Sequence, residues 1–95
     1  MKASELTLNI AVNLGRISRW AQEGRESRIK QFLNETEMFL KELEKTKKNP
    51  RFAKTYKAFS KNFYDLKNRI KYDDIWAEET LTWANILTHR AKLAD

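Results

Sequence analysis

Residues 52–70 read FAKTYKAFSKNFYDLKNRI. Apolar side chains fall at Phe52, Tyr56, Phe59, Phe63, Leu66 and Ile70, a 4-3-4-3-4 spacing. Only an α-helix brings side chains three and four apart onto one face, so the stretch predicts an amphipathic helix with an aromatic stripe. Asn49-Pro50 marks its start, because proline suits a first helical turn and keeps the residue before it extended. The helix is expected over 51–70, with Lys54, Lys57 and Lys61 opposite the stripe.

Upstream, Ile29, Phe32, Leu33, Thr36, Phe39, Leu40 and Leu43 repeat the helical period and predict a helix over 27–45. Earlier still, Leu6, Ile10, Leu14, Ile17 and Ala21 predict one over 4–23, with Ser4 as its N-cap and Gly24 just past its end. The second stripe is rotated by roughly 80° from the first at 100° per residue, so the chain breaks near Gly24 instead of continuing as one rod. Downstream, Trp76, Thr80, Trp83, Leu87, Ala91 and Ala94 predict a helix over 74–94. Its acidic start (Asp74, Glu78, Glu79) and basic end (Arg90, Lys92) complement the helix dipole. Short connections between helices of similar length favour antiparallel neighbours. The expected fold is all-α, an antiparallel up-down-up-down four-helix bundle in one domain spanning residues 1–95. A three-helix core with a displaced first helix is the alternative.

Composition agrees. The 95 residues are 41% hydrophobic and 12% aromatic with a net charge of +6, too apolar for a disordered chain. There is no cysteine, which excludes disulfides, thiolate zinc sites and thiol catalysis. The longest uncharged stretches, 6–15 and 80–89, are half of what a membrane crossing needs, roughly twenty residues. Lys2 and the apolar residues after it faintly resemble a signal peptide, but Glu5, Asn9 and Asn13 interrupt the pattern. A soluble, cytoplasmic protein is expected.

Chemistry-bearing motifs are missing. His89 is the one histidine, so neither a His-ligand metal site nor the paired Glu-x-x-His pattern of di-iron bundles can be built. It reads as a surface residue near a helix end. The adjacent carboxylates Glu35 and Glu37, or Glu78 and Glu79, lie on outward faces, where general acid–base chemistry has no buried setting. No glycine-rich phosphate loop and no nucleophilic triad is present. Trp76 and Trp83, one heptad apart, read as core. A non-enzyme without cofactors is expected.

Two surface features point to partners. Helices one and four each carry a second apolar line: Leu8, Val12 and Gly15 on the first, Ile75, Ile86 and Leu93 on the fourth. A helix apolar on two sides is usually covered on two sides, and a second copy or a helical protein partner would supply the cover. Trp20, beside Asn9, Asn13 and Arg16, is a candidate aromatic anchor of such an interface. Gly15 in mid-helix suggests either close approach of another helix or a merely tolerated position.

The second feature is charge. Residues 47–71 hold nine basic groups and one acidic group, Asp65, whereas residues 72–95 hold two basic and five acidic groups. Lys47, Lys48, Arg51, Lys54, Lys57 and Lys61 form a candidate patch for neutralising nucleic-acid phosphates. Tyr64 is the only aromatic on that side, and no base-reading Asn, Gln or Arg array accompanies the lysines. The leading expectation is a non-enzymatic interaction module that forms a homodimer through Leu8, Val12, Trp20, Ile75, Ile86 and Leu93. The alternative is a nucleic-acid-binding accessory protein using the basic loop and third helix.

Overall fold

The computed structural model describes residues 1–95 and contains four helices: α1 (Ala3–Gln22), α2 (Glu26–Lys45), α3 (Pro50–Lys67) and α4 (Asp74–Arg90). A 3-10 turn, Ala91–Leu93, continues α4. The helices run antiparallel in chain order. Asn13 of α1 pairs with Glu35 of α2, Glu37 of α2 with Lys67 of α3, Phe59 of α3 with Trp83 of α4, and Ser18 of α1 with Ala77 of α4. The result is the expected four-helix bundle, 37 Å long and 18–20 Å across.

Side-chain size sets the spacing. Thr7, Ala11 and Ser18 share one line of α1, and Ala77 and Ala84 share one line of α4. The Ser18 hydroxyl donates to the Ala77 carbonyl at 2.7 Å, which fixes the two lines face to face. Small residues on both sides let the backbones approach, and α1 packs closely against α4 and α2. The third helix stands farther off, because Phe52, Phe59, Phe63 and Leu66 fill the space beneath it. The stripes Leu6-Ile10-Leu14-Ile17 and Ile29-Leu33-Leu40-Leu43 are buried, as is Trp76. No buried side-chain polar atom lacks a hydrogen-bond partner.

Two local expectations are corrected and a third position is decided between two readings. First, α3 ends at Lys67, and Ile70 is 93% exposed in the loop that follows. The Trp76 indole N–H donates to the Leu66 carbonyl at 3.0 Å, the group that the Ile70 amide would have reached in a continuing helix. Asp73 then caps α4 by accepting from the Trp76 amide, so the tryptophan closes the corner that the apolar period runs past. Arg69 secures this corner through ion pairs to Asp65 and Glu79.

Second, Ser4 lies inside α1 and is not its cap. Its amide and hydroxyl donate to the Asp95 carboxylate, at 2.9 and 2.6 Å, while Glu5 accepts from the Lys2 amide. Asp95 thereby satisfies a first-turn N–H of α1, from a position distant in sequence. Third, of the two readings of Gly15 the tolerated position fits: nothing lies within 4 Å of where a Cβ would stand, so no other helix of the chain makes a close approach there. The turn at Gly24 is as expected: its φ of +71° is the left-handed conformation that ends helices at little cost only for glycine.

Candidate functional site

The loop from α2 to α3 starts the basic surface, and Lys48 in it is committed to the fold. Its ammonium donates to the carbonyls of Leu43, Glu44 and Thr46 at 2.7, 3.1 and 2.9 Å and sits 4.6 Å from the centre of the Tyr56 ring. These carbonyls cluster where the hydrogen-bond ladder of α2 runs out and the helix dipole is negative, and the Leu43 carbonyl also accepts from the Thr46 amide at 3.1 Å. Lys48 is therefore a helix cap, and its expected place in a phosphate-binding patch is corrected. Lys47, Arg51, Lys54, Lys57 and Lys61 remain exposed, and none of them is in an ion pair with a carboxylate.

The antiparallel register brings the start of α3 alongside the end of α4. Between them runs an open groove of about 690 Å³, lined on one side by Arg51, Lys54, Thr55 and Ala58. On the other side stand Trp83, Ile86, His89 and Arg90, with Thr82 and Asn85. Trp83 is half-buried, with its ring edge-to-face against Phe59 at 5.3 Å between centroids. The part of the indole left free faces the groove together with Ile86. Arg51, Lys54 and Arg90 surround this apolar floor, and α3 has no acidic residue in its first turn. The positive end of the α3 dipole adds to their field. Toward the other end of the two helices, Asp65 on α3 and Glu79 on α4 are both paired with Arg69. No group of three or more His, Cys, Asp or Glu side chains is placed to hold a metal ion, and no helix is long and apolar enough to cross a membrane.

The second apolar lines come apart in three dimensions. Leu8 and Val12 are exposed on the outer side of α1. Leu81, also exposed, lies on the line of α4 that runs beside α1. Ile75 and Ile86 are exposed on the opposite flank, toward α3: Ile86 lines the groove, and Ile75 borders a shallow depression with Glu78, Glu79 and Trp83. Leu93 is half-buried in the 3-10 turn. Trp20, the expected anchor, is largely occupied within the chain. Its ring meets Phe32 edge-to-face at 4.7 Å, with the Arg28 guanidinium 5.7 Å from its centre. Beside it Asn13 is buried and donates to Glu35.

Sequence reasoning missed Trp83, His89 and Arg90 as site residues. The signal was present, since Trp83, Ile86 and Arg90 follow a 3-4 spacing along one edge of α4. What it lacked was the other wall, supplied by a helix running the opposite way. Comparison with protein-family models, curated proteins and solved structures returns no match, so the groove is read from its own chemistry.

Proposed function

We propose that the protein binds nucleic acid, without catalysis, through the exposed face of α3 and the adjoining end of α4. One observation carries this reading: Arg51, Lys54 and Arg90 line one groove, Lys57 and Lys61 are exposed farther along α3 and Lys47 just before it, and none of the six is in an ion pair with a carboxylate. From Lys45 to Tyr64 the chain contains seven basic residues and no acidic one. A polyanion that neutralises such a surface releases condensed counterions, and this drives association. The reading goes with a cytoplasmic protein. The test is fluorescence anisotropy of a labelled single strand and a labelled duplex, each of about twelve nucleotides per strand, within the site sizes of small binding modules. Binding at low salt that weakens steeply as salt rises supports the proposal. Absence of binding to both at low salt overturns it.

A second reading rests on the exposed Leu8 and Val12 of α1 and the exposed Leu81 of α4: self-association through this outer face, giving a homodimer. Light scattering behind size exclusion, at two protein concentrations, tests it. A dimer near twice 11.3 kDa that Val12→Asp converts to monomer, with helix content unchanged, supports it. A monomer at both concentrations rejects it.

A further inference from the structure

We infer that the α3–α4 groove selects single-stranded over duplex nucleic acid, taking one unstacked base against Trp83 and Ile86 while Arg51, Lys54 and Arg90 hold the flanking phosphates. This rests on the nucleic-acid reading and adds to it a substrate form and a place for the base. A purely electrostatic surface needs cations only. Here the cations stand around an aromatic and aliphatic floor inside a concave site, and every base has a π-face that such a floor can accept. In a duplex the bases are paired and stacked, so a side chain at the bottom of a groove between two helices cannot reach their faces. A single strand can turn a base inward at little cost.

The experiment compares oligothymidylate of about twelve nucleotides with a duplex of equal length, at one salt concentration, for the wild-type protein and for Trp83→Leu and Ile86→Ser. The expected result is tighter binding of the single strand. Trp83→Leu should weaken it about five- to a hundredfold, the range that stacking one base on an aromatic ring supplies, with duplex binding changed less than about twofold. Because Trp83 also packs against Phe59, circular dichroism checks that the variant is folded. Should it lose helix, Ile86→Ser decides, since that side chain is exposed. Its single-strand affinity should fall while its helix content holds. Equal binding of both nucleic acids, with neither variant altering the ratio, overturns the inference while leaving phosphate binding by the basic face intact. Failure of both nucleic acids to bind overturns the inference together with the reading beneath it.

Discussion

The hydroxyl of Ser18 on α1 donates to the backbone carbonyl of Ala77 on α4 at 2.7 Å, and both residues are buried. The bond joins the two helices along facing lines of alanine, serine and threonine. A larger side chain there has no space to enter. Ser18→Val adds a branched side chain and removes the bond between the helices, leaving the Ala77 carbonyl to the Thr80 hydroxyl of its own helix, and overpacking of this kind costs about 1–3 kcal/mol. For a domain of this size that lowers Tm by roughly 4–8 °C per kcal/mol, measurable by thermal circular dichroism. A melting temperature equal to wild type would mean that the α1–α4 contact is looser than described.

Gly15, on the same helix, has the opposite expectation. It sits in the middle of α1, half-exposed, with no atom within 4 Å of the position that an alanine methyl would take. Glycine in a helix interior costs about 1 kcal/mol relative to alanine. Gly15→Ala should therefore raise Tm by roughly 4–8 °C. A fall would reveal a neighbour pressing on that face, such as a second copy of the chain.

Lys48 offers a third stability test. Its ammonium serves three carbonyls at the end of α2 and stacks against Tyr56. Lys48→Met keeps the aliphatic stem and removes the charge-assisted donors, each such bond being worth about 1.5–3 kcal/mol at most when fully made. A loss of about 1–2 kcal/mol is expected from the partly exposed setting. Lys47→Met, one residue earlier and exposed, should stay within about 0.5 kcal/mol of wild type. Urea denaturation of the pair of variants separates the two roles.

The contrast between Lys47 and Lys48 also shows how far the sequence could be read. The four helices were legible because hydrophobic period, Pro50 and Gly24 act locally. The corner at Ile70 was not, because it is made by Trp76 reaching back to Leu66, a contact between elements that period alone cannot see. The same holds for Ser4, whose partner Asp95 lies at the far end of the chain. The basic patch was legible as charge density, but which lysine serves the fold and which faces solvent depends on where the carbonyls of α2 end. The groove was invisible for a related reason: its two walls are separated by some thirty residues of sequence, and only the antiparallel register joins Arg51 and Lys54 to Trp83 and Arg90.

Acid should weaken the fold through two carboxylates. Lys67, donating at 2.6 Å, holds the Glu37 carboxyl below its ordinary range. The Ser4 hydroxyl and amide do the same for Asp95. A carboxyl whose pKa is depressed on folding stabilises the protein above its unfolded value and loses that contribution as pH falls through the folded one. Unfolding midpoints in urea should therefore be steady from neutrality down to about pH 5 and decline below about pH 4. Replacing both groups, as Glu37→Gln with Asp95→Asn, should lower the midpoint at pH 7 and flatten the decline. An unchanged acid profile in the double variant would place the acid sensitivity elsewhere.

Salt dependence distinguishes a lysine that meets phosphate from one that caps a helix. For single strands the slope of log K against log salt is about −0.7 per phosphate neutralised. Engagement of about four of the exposed cations gives a slope near −3 on that basis. Replacing Arg51 and Lys54 together by glutamine should weaken binding and reduce the magnitude of the slope by about 1.4, with Tm little changed because both side chains are exposed and unpaired. Lys48→Gln should do the reverse, lowering Tm while leaving the slope alone, since its charge is already committed to the carbonyls of α2. A slope that drops with Lys48→Gln and not with the Arg51 and Lys54 replacements would move the nucleic acid from the α3–α4 groove to the loop at the end of the bundle.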